Sequence, residues 1–381
     1  MEKKLAETLV GWRRHLHVHP ELSLQEQGTA AFVSAKLTEL GIPHETNVGG
    51  HGVVATIRRG QSNRSVGLRA DLDALPITEL TGLDHASQTP GVMHACGHDG
   101  HTVSLLGAAA LLQQDTSWTG TVQLVFQPAE EGYGGARAMI AAGLFDRFPM
   151  ERIFGYHNWP GLAAGTVAVH DGPVMAAGSR IEITLEGKAG HGAMPHLARD
   201  PMLAAGHLLV ALQSIVAREV DPLDSAVVSI CMIDGGVAAN QIPSKVTMRG
   251  TCRSYRTEVR DAIDASLHRI ADGVAATFAM TATVAIRHGM SPTVNSKPEA
   301  DLAVAACEAA GIAVRRDLAP AMTGEDFAWY LSERPGAFVW IGNGPTDGGR
   351  DLHSPHYDFN DAIIPAASGF MASVAKRALA G

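Results

Sequence analysis

The stretch His94-Ala95-Cys96-Gly97-His98-Asp99-Gly100-His101 is the densest run of ligand-type side chains in the sequence. Imidazole, thiol and carboxylate together are donors that borderline divalent metals prefer. In extended chain, alternate residues point the same way, so His94, Cys96 and His98 are expected on one face. A second element, Gln127-Pro128-Ala129-Glu130-Glu131-Gly132, follows an apolar, β-branched run. Successive residues there point different ways, so one carboxylate can hold a metal while its neighbour addresses the water that the metal activates. Phe154-Gly155-Tyr156-His157-Asn158-Trp159-Pro160 and Leu352-His353-Ser354-Pro355-His356 add histidines expected at strand ends or in loops. These types point to metal-assisted hydrolysis. A thiol route, with Cys96 as nucleophile and His98 or His94 as base, leaves the glutamate pair and the distant histidines without a role.

Such a site needs a scaffold. Helical patterns run over about 2–17 and 25–40, the second closed by Gly41 and Pro43. Runs at 52–58, 65–71 and 121–127 read as strands, and 99–112 reads as a helix carrying Val103, Leu106 and Ala110. Alternating strands and helices predict an α/β layer with a mixed, largely parallel sheet, whose reactive residues sit where strands end. Near Gly178 the pattern changes: Ile181, Ile183 and Leu185 alternate with Glu182, Thr184 and Glu186, a strand with one wet face. Asp200-Pro201 reads as a cap and first-turn proline, opening a helix with Met202, Ala205, Leu209, Leu212 and Val216 on one face. Strands near 226–233, 246–253 and 281–287, with a helix carrying Val259, Ile263, Leu267 and Ile270, complete a β-α-β-β-α-β order. That order predicts a ferredoxin-like α+β insert at 179–289 within an α/β catalytic domain at 1–178 and 290–381.

Composition narrows the classes. With 30 Lys plus Arg against 39 Asp plus Glu, the net charge of -9 argues against nucleic acid as a partner. A 46% hydrophobic share with 18% charged residues supports a sizeable core rather than disorder. Four cysteines are too sparse for a disulfide framework, and Met1-Glu2-Lys3-Lys4-Leu5-Ala6-Glu7 lacks the apolar stretch of a signal peptide, so a cytoplasmic setting is expected. No run is read as nearing the ~20 apolar residues of a membrane span, so no membrane partner is expected.

Seven segments together resemble one family: RRHLHVHPELS at 13–23, RADLDALP at 69–76, MHACGHDGHT at 93–102, FQPAEEGYGGA at 126–136, GYHNWP at 155–160, GKAGHGAMPHLARDP at 187–201 and DLHSPHYDFND at 351–361. The chain is similar to the M20 metallopeptidases, and within them to the amidohydrolase branch of hippurate hydrolases, N-acyl-amino-acid deacylases and auxin-conjugate hydrolases. The resemblance runs over essentially the whole chain in the family's order. It implies two divalent metal ions, zinc first and otherwise manganese, cobalt or nickel, held by Cys96, His98, Glu131, His157 and His353. It implies Glu130 as general base and Asp73 as the carboxylate that orients a ligand. Other branches carry a ligating histidine where this chain has Asp71, which becomes a candidate support, with His94 and His101 as neighbours. In the insert, the family's lid, His191 is implied to stabilise the oxyanion, Asn240 and Arg253 to meet the substrate's carbonyl or carboxylate, and His196 to finish a turn. The implied reaction cleaves an N-acyl amino acid of the hippurate or N-acetyl type to an acid and a free amino acid. A metallo-dipeptidase or aminopeptidase is the alternative, and a homodimer through the lid is the implied assembly.

Overall fold

The apolar runs of the first and last thirds of the chain line up in one eight-stranded sheet. The computed structural model describes residues 1–380. The chain forms two units, one of Met1–Val174, Val294–Ala319 and the residues from Asp326 onward, the other of Met175–Thr293 with Pro320–Glu325.

In the first unit the strand order is His44–Thr46, Val53–Arg59, Gly120–Gln127, Ser65–Asp71, Arg152–Pro160, Gly336–Gly344, Val167–Ala168 and Val314–Arg315. The four strands from Gly120–Gln127 to Gly336–Gly344 run parallel, while the first two strands join the sheet antiparallel. Parallel strands are covered on both faces, which is why Ser65–Asp71 is buried from Val66 to its end and reads as an apolar run rather than an alternation. The helix His98–Gln114 is buried at every residue from His98 to Ala110. Its glycines and alanines let neighbours close in: a Cβ on Gly100 would strike the ring of Phe359. The helices Lys3–Val18 and Ile364–Ala380 pack against it.

In the second unit four antiparallel strands lie in the order Ala226–Gly235, Lys245–Ser254, Ala177–Glu186, Thr281–His288. Numbered along the chain this is 2-3-1-4, the ferredoxin-like arrangement. Ile181, Ile183 and Leu185 face a core shared with Leu208, Leu212, Ile263 and Leu267 from the helices Pro201–Ser214 and Thr257–Thr277. The unit extends four residues beyond 179–289 at each end and takes in Pro320–Glu325. There the Ala176 N–H donates to the carbonyls of Ala321 and Thr323, a tertiary pairing with no sequence signature.

Two expectations about the Pro201 helix need correction. Asp200 caps it as expected, its side chain accepting from the N–H groups of Met202 and Leu203. The buried face, however, is Ala204, Ala205, Leu208, Leu212 and Ile215, and Met202 is exposed. This helix is apolar nearly all round, so its period does not select a face. Moreover, Pro201–Glu219, with a mean hydropathy of 1.3, is long and apolar enough to cross a membrane. Its burial on one side of this core is equally what a core helix gives.

Candidate metal centre and active site

Donors gather where the parallel strands of the first unit end. Asp73 follows Ser65–Asp71, and Glu130 and Glu131 follow Gly120–Gln127. His157 lies inside Arg152–Pro160, not after a strand as expected, because this strand too is buried on both faces and shows no alternation. Arg69 registers with Gly155, which sets His157 level with the end of the neighbouring strand.

Cys96, His98 and His157 offer ligand atoms within 4.8 Å of one another, and so do Cys96, Glu131 and His353. Cys96 belongs to both groups, as a ligand shared between two ions would. His98, Glu130 and Glu131 form a further group, which puts Glu130 beside the donors. All five residues implied as ligands are therefore brought together.

Several of the donors are held by neighbours. His157 Nδ1 donates to the Asn158 carbonyl at 2.6 Å, which leaves Nε2 as an acceptor 3.3 Å from Cys96 Sγ. Asp73 Oδ1 lies 3.3 Å from His98 Nδ1, close but outside hydrogen-bond alignment, while its Oδ2 accepts from Ser23 Oγ at 2.6 Å and from the Glu131 N–H at 3.0 Å. His353, with a positive φ of 62°, is anchored by its own N–H to the Ala95 carbonyl, and its Nε2 is 3.4 Å from Glu131 Oε1.

Metal binding here would have to displace protons from two of the donors and not from a third. Burial raises the Cys96 thiol well above its ordinary value, and Glu131 adds to the rise, so an ion binding there must displace a proton. Burial opposes charge on His98, yet Asp71, Cys96 and Asp73 outweigh it and raise its pKa well above the imidazole range. His157 is driven the other way by burial and by His101.

The residues fit a dinuclear metal group on two counts. Thiol, imidazole and carboxylate are suitable donors. His98 Nε2 and Glu131 Oε1 are buried without a hydrogen-bond partner among the described residues, an arrangement that costs about 1–3 kcal/mol per group unless something meets them.

The neighbours sort into other roles. His101 belongs to a further cluster with Asp71 and His98, but its nitrogens are taken. The Asn158 N–H donates to His101 Nε2 at 3.0 Å, so Nδ1 carries the hydrogen given to Asp71 Oδ1 at 2.7 Å. Asp71 also accepts from Arg69 at 2.8 Å. Burial would raise the Asp71 pKa, but His98, His101 and Arg69 hold it well below the usual range. Asp71 is thus a charged brace. The expected alternation of His94, Cys96 and His98 fails at His94, where the chain turns so that the Ala95 N–H donates to the Met93 carbonyl at 2.9 Å, while Cys96 and His98 stay together. His94 joins no donor group among the described residues, and burial pulls its pKa down to about 4.

Several supporting residues escaped the sequence reading. Asn158 Nδ2 donates to the Cys96 carbonyl at 2.6 Å, and the Tyr357 hydroxyl donates to Asn158 Oδ1 at 2.8 Å. Asp326 accepts from Arg69 at 3.0 Å, from Gln127 and from the Ala136 N–H, while its own N–H donates to Glu130 Oε1 at 3.2 Å. Asn158, Tyr357 and Arg69 lie within the motifs already singled out; Asp326 does not. Ala129, at φ 56°, holds a conformation that costs a non-glycine residue about 1–3 kcal/mol.

The other implied residues lie in the second unit. His191 is exposed on the two-residue strand Gly190–His191, registers with Gln241, and sits beside Asn240, whose carbonyl accepts from the Gly192 N–H. Arg253 is half-buried on Lys245–Ser254, its guanidinium lying where a Cβ on Gly178 would stand. His196 falls in the short turn Pro195–Leu197 and is exposed.

The family model for peptidase family M20/M25/M40 matches residues 67–377. The N-acetyl-L-cysteine deacetylase of Bacillus subtilis is 42% identical over 376 residues, covering 98% of this chain and 89% of that protein. The hippurate hydrolase of Campylobacter jejuni is 38% identical, covering 96% of this chain and 95% of its own. The crystal structure of the YXEP protein of Bacillus subtilis, described as a dinuclear metal binding peptidase, is 36% identical. It superposes with a TM-score of 0.89 over 100% of this chain and 99% of its own.

Proposed function

The chain belongs to peptidase family M20/M25/M40 and is an amide-bond hydrolase, and we propose that it cleaves N-acyl amino acids of the N-acetyl or hippurate type to a carboxylic acid and a free amino acid. The observation that carries this reading is the pair of donor groups sharing Cys96 with Glu130 alongside. Relatives named for N-acetylcysteine and for hippurate supply the substrate class. Zinc is the proposed occupant, since a thiolate-imidazole-carboxylate set suits it, with manganese, cobalt or nickel as substitutes. Ions held by Cys96, His98, Glu131, His157 and His353 would lower the pKa of a water and polarise the acyl carbonyl.

The rest is the work of this chain's residues. Glu130 accepts the proton of the attacking water and returns it to the leaving nitrogen, so that no charged amide fragment has to depart. Asp73 holds the Glu131 backbone in place with one oxygen and sets its other beside His98, and Asp71 keeps His101 in one tautomer. His191 donates to the oxyanion, with Asn240 at the carbonyl and Arg253 forking onto the substrate carboxylate. The rival route through Cys96 as nucleophile asks for a thiolate that burial and Glu131 disfavour.

The test is a hydrolysis panel of acetyl-, benzoyl- and indoleacetyl-amino acids, run after chelation and with each metal restored. Activity on at least one class that falls with chelation and returns with metal is expected; full activity of the chelated protein, or cleavage of free dipeptides alone, overturns the reading. We also propose a homodimer through the second unit, on the exposed apolar residues Leu203, Val210, Met232 and Ile233 along one helix and the edge strand Ala226–Gly235. Sedimentation at the monomer mass would refute it. A cytoplasmic setting is proposed as well, on the sparseness of four cysteines in 381 residues.

A further inference from the structure

We propose that Glu26 is a positioning residue for Glu130, a reading that rests on Glu130 being the general base. Glu26 lies in the turn before the helix Gln27–Glu39 and is fully buried. Its Oε1 accepts two backbone N–H groups, that of Leu24 at 3.0 Å and that of Ala129 at 2.8 Å. Both residues are non-glycine residues in the left-handed region, Leu24 at φ 68° and Ala129 at φ 56°. A single oxygen thus pins two backbone positions that would otherwise relax to ordinary conformations, and the second immediately precedes Glu130.

The far side of Glu130 is held from the same turn. Ser23 Oγ donates to Asp73 Oδ2 at 2.6 Å, and that oxygen accepts the Glu131 N–H at 3.0 Å. Ser23 and Glu26 therefore grip the residue before the base and the residue after it. The Ala129 carbonyl is fixed in turn by the Gly135 N–H at 3.0 Å. Without the Glu26 oxygen, only the carbonyl's bond from Gly135 is left to offset the cost of a positive φ at Ala129, and rotation there swings the Glu130 side chain away from the water it must deprotonate. Glu26 touches neither donor group nor substrate; it acts through the backbone of Ala129.

Ala129 is the point of leverage, because glycine holds φ near +56° without help. The experiment measures kcat, KM and bound metal for Glu26→Ala, Glu26→Gln, Ala129→Gly and the Glu26→Ala/Ala129→Gly double variant, on whichever N-acyl amino acid the wild type cleaves. Glu26→Ala should lower kcat by roughly 10- to 100-fold through misplacement of the base, with KM and metal content unchanged. Glu26→Gln should restore most of the rate, since its amide oxygen can accept the same two N–H groups. The loss should shrink several-fold in the Ala129→Gly background. Should Glu26→Ala not fold, Glu26→Asp, which retains the charge but withdraws the oxygen by one methylene, takes its place in the same comparisons.

Three results overturn the proposal: a glutamine variant as slow as the alanine one, an equal loss of kcat in the Ala129→Gly background, or a loss that follows metal content. Glu130→Gln run in parallel keeps the two readings apart, because its activity reports on the base alone.

Discussion

The cores of the two units differ in the charge they bury. In the first, Arg13, His17, Arg69, Asp71, Asp99 and His101 are all buried to within 1% of full exclusion from solvent, and each faces an opposite charge or a hydrogen-bond partner. In the second, the core is aliphatic, while Arg249 with Glu182 and Asp234, or Arg269 with Glu219, pair at the surface. Removing one member of a buried pair strands the other in a medium that cannot solvate it, whereas a surface pair is replaced by water. The first unit therefore fixes its chemistry at the expense of tolerance. The second presents His191 and Asn240 in the open on a well-packed base, so its residues can change activity without changing the fold.

The largest effect is expected at the base. Glu130→Gln should lower kcat by about 10²–10⁴-fold, the range for a positioned general base, while the bound metal stays at the wild-type level. Activity within threefold of wild type, or so, would remove Glu130 from the reaction. Next comes His191→Ala, for which a loss of roughly 10²–10³-fold in kcat is expected from one missing oxyanion donor. Because His191 is exposed, its thermal midpoint should not move, and a variant that lost stability and activity together would break the contrast between the units. The third is Gly97→Ala. Gly97 sits at φ 86°, and a Cβ there would collide with the Tyr357 hydroxyl and Asn158 Nδ2, the pair that holds the Cys96 carbonyl. A destabilisation of about 2–4 kcal/mol is expected, with weaker metal binding, read by calorimetry and metal titration.

Gly97 also shows what the sequence could reveal and what it could not. The ligand types and their order along the chain are visible in the motifs, and so is the β-α-β-β-α-β period of the second unit. What is hidden is geometry set by distant partners. Nothing local says that Gly97 must be free of a Cβ, because that need depends on Tyr357 and Asn158 arriving from elsewhere in the chain. Nothing marks Asp71 as a brace until Arg69 and His101 close on it. Asp326 is invisible for the same reason: its role exists only once it meets Arg69, Gln127 and Glu130, each far away in sequence. The burial of Arg152–Pro160 on both faces erased the alternation that would have placed His157 inside a strand. The Pro201 helix failed in the opposite sense, being apolar on too many sides for its period to select the inner one.

The smallest effect tests the buried charges directly. His17 Nδ1 lies 2.7 Å from Asp99 Oδ2, and its Nε2 faces Glu79 at 3.4 Å. Burial opposes the charged ring, but Asp99 and Glu79 outweigh it, and the pKa is raised to about 9. In the unfolded chain it returns to about 6.5. A raised pKa means that the folded state holds the proton more tightly, so the stabilisation is complete below about pH 6.5 and is lost as pH climbs through 9. Asp99 has the reverse sign: its pKa is held far below the usual range against burial by His17, so its contribution fades only in acid. The thermal midpoint should therefore fall by a few degrees between about pH 6.5 and 9. His17→Gln should flatten that slope when compared at equal metal content. Equal slopes for wild type and His17→Gln would mean that His17 is neutral despite its two carboxylates. Burial would then have won over pairing in the first unit, and its charges would be arranged to be tolerated rather than to stabilise.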